Sequence, residues 1–368
     1  MLPAEWEPQR FVQLTWPHAD TDWAPYLAAA QQCFIQIARA ITRFEPLLVI
    51  TPEPEDVERQ LRDGGVDLSQ VVIFECPTND TWARDHGFIS TREASRLTGA
   101  YDQGEQDGGS NISLHDFCFN GWGMKFAANL DNQINQTVFD NEVFADNDLL
   151  GLWNATYHDD RGHVLEGGSI ESDGRGTILT TTECLLSKNR NPFRDKTPFD
   201  QWFRDAFEAN RILWLDAGFL VGDDTDSHID TLARLCPDDT IVYVKCTNHE
   251  DIHFDELNQM EQQLRSFRTA EGNHYRLLPL PMPSPIYESD FPDAVEEEGD
   301  QRLPATYANF LIINGAVLFP TYNDHQSDEE ARKVLQLAFP DREIIGIDCR
   351  VLIRQHGSLH CVTMQYPQ

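Results

Sequence analysis

Apolar and polar positions along this chain follow two periods, and the period switches in a recurring order. Over residues 25–44, Leu27, Ala30, Phe34, Ile37, Ala38, Ile41 and Phe44 fall at three- and four-residue steps, the stripe of an amphipathic helix. The stripe stops at Glu45-Pro46 and an apolar run, 47–50, reads as a buried strand. A short strand at 11–15 precedes the helix. Two later stretches add a hairpin ahead of the helix and strand. In one, 169–171 turns at Asp173-Gly174 into 177–181, and a helix around 199–208 leads to 211–215. In the other, 307–313 turns at Asn314-Gly315 into 316–320, and a helix around 328–339 leads to 343–347. Asp-Gly and Asn-Gly are hairpin signals because tight turns need residues that tolerate positive φ.

A fourth unit reads as 231–235, 240–245, a helix from about 254 to 267, and 275–280. A fifth starts at 88–91, includes 95–101 and carries a long polar segment, 102–150. The run 359–364 alternates like a strand with Cys361 on one face. Asp85, Glu166, His228, Tyr307 and Cys361 mark the five units at steps averaging about 74 residues, too long for a solenoid repeat and suited to a ββαβ module. If the units close in a ring, the C-terminal strand completes the unit that the N-terminus begins. The loop-like stretches are 102–111 and 283–304; the acidic run Glu296-Glu297-Glu298 in the second reads as solvated surface or as a gate over a cationic ligand's entrance.

At 368 residues the chain suits two domains or one large α/β domain. Its formal net charge of −33 argues against nucleic acid and anionic membrane partners; it suits solubility or the gathering of cationic substrates. No apolar run approaches membrane-spanning length and the first residues lack a signal-peptide pattern. Eight cysteines show no C-x-x-C pairing, the pattern of reduced, mostly core thiols and a cytoplasmic location. A homo-oligomer is compatible with all of this.

Four polar clusters sit at the edges of apolar strands: Trp82-Ala83-Arg84-Asp85, Glu166-Gly167-Gly168, His228-Ile229-Asp230, and Cys361. Taken singly, each has a plain reading: a surface ion pair, a turn, a capping pair or half a metal site, a core thiol. Together they hold a nucleophile that needs activation, an imidazole to move protons, a carboxylate to orient it, and two more carboxylates. Asp85 and Asp230 make poor sense beside a thiolate unless the substrate is cationic, and a planar guanidinium fits carboxylates through paired N–H donors.

The stretches PAEWEPQRFVQLTWPH (3–18), NDTWARDHG (79–87), FNGWGMKF (119–126), LEGGSIESDGRGTILTTTECLLSKNRNP (165–192), GDDTDSHIDTLARL (222–235), PATYANFLIINGAVLFPTYND (304–324) and HGSLHCVTMQYP (356–367) resemble the agmatine deiminases and bacterial peptidylarginine-deiminase-like proteins of the guanidino-group-modifying superfamily, over nearly the whole chain. The resemblance implies one catalytic domain spanning 1–368, a five-fold pseudosymmetric α/β propeller of ββαβ modules with a central active-site channel. It implies cofactor-free, metal-free hydrolysis of a guanidine, with Cys361 as nucleophile, Asp85 and Asp230 gripping the guanidinium, Glu166 orienting His228, and Trp82 and Trp122 lining the pocket. The expected substrate is agmatine. Departures are His356-Gly357-Ser358 in the approach to the cysteine and Ser227 where a glycine usually precedes the histidine. The competing expectations are a deiminase of free or peptidyl arginine, a metallohydrolase using His228, Asp230 and His360 or Cys361, and a non-catalytic acidic scaffold.

Overall fold

A computed structural model describes residues 1–92, 112–145, 147–152, 154–294 and 300–368. Its first three strands are β1 (Gln9–Thr15), β2 (Leu47–Thr51) and β3 (Val71–Glu75). Four more sets of three follow: β4 (Ile89–Arg92), β5 (Ile112–Cys118) and β6 (Thr156–Val164); β7 (Ile170–Ser172), β8 (Thr177–Thr181) and β9 (Arg211–Leu215); β10 (Ala233–Cys236), β11 (Thr240–Lys245) and β12 (Arg276–Pro281); β13 (Leu311–Ile313), β14 (Ala316–Thr321) and β15 (Glu343–Asp348). The last strand is β16 (Thr363–Pro367).

These strands form five separate mixed sheets. In each set from β4 onward the first two strands pair antiparallel and the second and third pair parallel. The remaining sheet runs β16-β1-β2-β3, with β16 antiparallel to β1 and β2 and β3 parallel. Among the described residues no sheet closes on itself. A parallel pair needs a crossover, and helices supply it at Leu27–Ile41, Pro54–Asp63, Asp131–Asp140, Lys196–Phe207, Phe254–Ser266 and His325–Ala338. Three of these begin where the sequence asks them to: Pro54 stands in the first turn of its helix, and Asp195 and Asp324 cap the next turn's amides at Thr197 and Ser327.

The unit that joins the two ends of the chain is tightly made. Tyr366 of β16 stacks on Phe11 of β1 with centroids 4.5 Å apart and donates its hydroxyl to Gln13 at 2.8 Å. The Asn314 side chain, in the β13–β14 turn, exchanges two hydrogen bonds with the Gln9 backbone, so neighbouring sheets are tied through it.

Three expectations need correction. The polar segment 102–150 contains β5 and the helix Asp131–Asp140, because its polar side chains are buried in pairs: His115 with Asp160 at 2.7 Å, and Asp116 with Asn135 and Tyr157 at 2.9 and 2.7 Å. The helix Pro54–Asp63 and β3 form a second crossover in the first unit that the periodicity did not single out. Cys361 lies outside the final strand, in the turn before it. The Asn309 side-chain oxygen takes the backbone N–H of His360 and Cys361 at 2.9 and 3.3 Å, and Thr363 N–H turns back to the His360 carbonyl at 3.1 Å, so the ladder begins only at Thr363. The expected strand 95–101, the loop 102–111 and Glu296–Glu298 lie outside the described residues.

Candidate active site

Asp85, Glu166, His228, Asp230, Asn309 and Cys361 each stand within a few residues ahead of the first strand of a sheet: β4, β7, β10 (for His228 and Asp230), β13 and β16 respectively. The connections that carry them touch. The turn Gly167–Ser169 packs against both the Ala83–His86 helix and the turn Ile229–Thr231, and Ala83–His86 also packs on β16. Arg84 N–H donates to the Cys361 carbonyl at 3.1 Å. Gly168 sits where these elements converge: a Cβ there would lie 2.6 Å from His228 Nδ1, 3.0 Å from Asp85 Oδ1 and 3.1 Å from Asp230 Oδ2. Only glycine allows so close an approach, and the three distances show how tightly the polar groups cluster.

Cys361 is 3 % exposed. Its sulfur receives the Asn309 Nδ2–H at 3.3 Å and lies 3.9 Å from Asp230 Oδ2. Burial, and then the carboxylates of Asp230 and Asp85, push its thiol well above the ordinary range. Asp85 accepts the Trp122 indole N–H at 2.8 Å and the Gly168 N–H at 3.1 Å, and its Oδ1 lies 3.6 Å from His228 Nδ1. Burial together with Asp230 and Glu166 raises the Asp85 carboxyl to about 6, against the opposing pull of His228. Asp230 behaves differently. Burial works against its charge, but the His360 ring, bonded to Oδ2 at 2.7 Å, holds it below the usual carboxylate range; its Oδ1 has no partner among the described residues. Two carboxyls a short distance apart are thus driven in opposite directions by what each touches.

His228 is fully buried, and among the described residues neither ring nitrogen has a hydrogen-bond partner. Burial alone would lower its pKa; Asp85 first, with Cys184 and Glu166, raises it to about 10. Glu166 makes no hydrogen bond to this ring. Its two oxygens instead receive Arg190 Nε at 2.9 and 3.0 Å, and Arg190 continues to Asp226 at 2.5 Å and the Thr225 carbonyl at 2.8 Å. Removing the cation from such a buried pair strands a charge. Arg190→Met is therefore expected to lower stability by about 3–5 kcal/mol, read as a fall in the urea midpoint. An unchanged midpoint would show that water replaces the guanidinium without penalty.

A pocket of about 420 Å³ opens onto this cluster, lined by Asp22, Asp80, Trp82, Asp85, Trp122, Phe126, Asp224, Thr225 and the segment Gln355–His356–Gly357, with Cys361 in its wall. His228, Glu166 and Asp230 are not part of its described lining. Trp82 and Trp122 meet edge to face at 6.1 Å. The Trp82 indole lies so close to the Gly357 backbone that any Cβ at 357 would strike the ring. Trp122 holds φ 54°, within a run of left-handed residues from Gly121 to Met124. A non-glycine residue in that region stores about 1–3 kcal/mol of strain, here in the residue that aims its indole at Asp85. Ser227 has φ 62°, so the serine at this glycine-favouring position takes the same left-handed backbone. Within the acidic stretch 283–304, Glu288 and Asp293 pair with Arg354, which stacks on Tyr26 and Phe291 just ahead of the pocket segment.

Among the described residues two groups have ligand atoms close enough to share a metal ion, Glu166–Cys184–His228 and Glu5–Glu171–His360. Arg190 already holds Glu166 in the first, and Arg234 bridges Glu5 and Glu171 in the second at 2.6 and 2.5 Å. A cation would have to displace a buried guanidinium from either. Cys361 and His360 belong to no common group with His228. Asn309, His360, Arg190 and Cys184 are the neighbours that reading the sequence alone did not assign to a deiminase site. Asn309 carried a signal, a lone amide in an apolar run that needs buried partners; the other three did not.

Residues 1–367 match the family described as Porphyromonas-type peptidyl-arginine deiminase. The agmatine deiminases of Pseudomonas syringae pv. tomato and Medicago truncatula are 31 % and 30 % identical to this chain, over all of it and over 95 % and 96 % of their own lengths. Among solved structures, the candidate arginine deiminase of Porphyromonas gingivalis superposes with a TM-score of 0.85 at 46 % identity, covering 100 % of this chain and 98 % of that one. An agmatine deiminase of C. jejuni with substrate bound, in a cysteine-to-serine variant, gives 0.82 at 36 % identity, covering 99 % and 95 %.

Proposed function

The chain belongs to the Porphyromonas-type peptidyl-arginine deiminase family, and on that premise we propose that it hydrolyses agmatine to N-carbamoylputrescine and ammonia. The observation that carries this reading is the convergence of Asp85, Asp230 and His228 around Gly168, with Cys361 3.9 Å from Asp230 and both Cys361 and Asp85 lining one acidic pocket. The curated relatives supply the choice of agmatine. The pocket agrees with it: the formally charged residues of its described lining, Asp22, Asp80, Asp85 and Asp224, are all acidic, which suits a dication and offers no guanidinium or ammonium for the α-carboxylate of free arginine. In this reading the five sheets are the modules of one pseudosymmetric propeller domain, and the polar residues ahead of their first strands face a shared centre.

The guanidinium binds between Asp85 and Asp230, flanked by Trp82 and Trp122. Its arrival reverses the local balance that keeps Cys361 protonated: a permanent cation beside the sulfur favours the thiolate, and the thiol proton leaves for solvent. The thiolate attacks the guanidinium carbon and a neutral tetrahedral adduct forms. His228, charged at rest, protonates the departing nitrogen, which leaves as ammonia and gives a covalent thiouronium. The now neutral His228 takes a proton from water as the hydroxide adds to the same carbon, and as that neutral adduct collapses its hydroxyl proton passes to the departing sulfur, releasing the Cys361 thiol and the urea product. Glu166, held by Arg190, supports the His228 charge through space. Carboxylates fixed before the reaction do the electrostatic work.

The test is a colorimetric ureido assay across agmatine, arginine and a blocked arginine peptide. Agmatine is expected to be turned over fastest; a higher kcat/KM for either arginine substrate would replace it, and no ureido product from any would end the deiminase reading. The pH dependence has a fixed sign. Below about 6 Asp85 takes a proton and the clamp loses one of its charges, so kcat/KM falls as pH drops through that value, a limb that reports the free enzyme. Asp85→Asn should lose this limb, and its deficit relative to wild type should shrink as pH falls. An unaltered acid limb in the variant would assign it to another group.

A further inference from the structure

His360 is bonded on both sides and buried, yet the reaction as written gives it nothing to do. Its Nδ1 lies 2.7 Å from Asp230 Oδ2 and its Nε2 lies 2.8 Å from Glu5 Oε2. Glu5 is in turn fixed by Arg234 at 2.6 Å and by the Ile312 N–H at 2.7 Å. Arg234 is spanned between Glu5, Glu171 and the Phe310 carbonyl, and passes 3.1 Å from His360 Nε2. From the other side Arg84 Nε approaches the His360 carbonyl at 3.4 Å. The backbone is pinned as firmly as the ring, since Asn309 accepts the His360 N–H. Nothing in this arrangement lets the imidazole rotate without breaking several charge-assisted bonds.

We propose that His360 is the positioning residue for Asp230: donating from Nδ1 to Oδ2 and braced at Nε2 by Glu5, it fixes the carboxylate so that Oδ1 is left for the guanidinium. Asp230 offers two oxygens. One is consumed by the ring, and the other has no partner among the described residues despite being buried. A buried carboxylate oxygen left open is costly unless a ligand fills it, and the other oxygen of the same carboxylate lies 3.9 Å from the Cys361 sulfur. The ring therefore decides which oxygen the substrate meets and at what angle. Glu5 belongs to this device although it lies 355 positions away in sequence. The inference rests on reading Asp230 as half of the guanidinium clamp.

Two substitutions at 360 separate positioning from mere packing. The amide nitrogen of asparagine can take the place of Nδ1, so His360→Asn keeps a donor to Asp230 and loses the link to Glu5. His360→Gln places its donor where Nε2 was, keeping the reach to Glu5 and losing Asp230. His360→Gln is expected to drop kcat/KM for agmatine about 100-fold, chiefly through KM, with His360→Asn within about 10-fold of wild type, the range set by hydrogen bonds to charged groups. Equal losses in the two variants, with KM unmoved, would mean that the residue only fills space. Binding of agmatine to Cys361→Ser protein carrying each change, followed by calorimetry, should give the same order without turnover. If neither variant folds, nitrogen NMR of the wild-type ring decides: Nδ1 carries a proton throughout the active pH range, and a ring protonated at Nε2 alone overturns the proposal. Absence of any deiminase activity in wild type would instead remove the function while leaving that spectrum to judge His360.

Discussion

Cys361→Ser is expected to abolish turnover, by about 10⁴-fold or more, in a protein that still folds and still binds agmatine. The oxygen is smaller than the sulfur it replaces and can still accept the Asn309 amide proton, so the turn before β16 has little reason to change. What is lost is the chemistry. A bound cation can bring a buried thiol to its thiolate, but a serine hydroxyl would need a base within hydrogen-bonding reach. His228, raised to about 10 and therefore charged at neutral pH, is no such base in the resting site. The measurement is ureido product per enzyme over hours, with binding followed separately. Wild-type turnover from the serine variant would move the nucleophile elsewhere.

Asp230→Asn is expected to cost kcat/KM about 10²- to 10⁴-fold, the scale of breaking a buried ion pair. An asparagine either turns an N–H toward the His360 donor or turns it toward the guanidinium, and both places demand an acceptor. The loss should persist across pH, because Asp230 is held below the usual carboxylate range. That separates it from Asp85, whose contribution fades on acidification. An Asp230→Asn enzyme within a few-fold of wild type would take the residue out of the clamp.

Much of the fold was legible because four of the units contain short buried strands joined through a turn or by an amphipathic helix, and both periods survive in the residue pattern. Where polar residues are buried in pairs, as His115 with Asp160 along β5 and β6, hydropathy points the wrong way. Pairing across the chain cannot be seen from either partner alone. The candidate site was readable for a similar reason: Asp85, Glu166, His228 and Cys361 are isolated polar positions abutting apolar strands. Their partners were not. No role was read for Arg190, which binds Glu166, and the residue that faces the His228 ring at 3.6 Å is Asp85. Tyr307 stood out as the aromatic landmark of the unit that begins at 307, but its hydroxyl goes to Asp328 at 2.7 Å, and the amide two residues on reaches the sulfur.

The pairing of β1 with β16 has a consequence for biosynthesis. The strand Gln9–Thr15 emerges early from the ribosome and finds β2 soon after, but its other edge stays open until residues 363–367 have been translated. An open, apolar edge of that kind templates association between nascent chains. Faster synthesis is therefore expected to raise the insoluble fraction of the product without changing the stability of the folded protein.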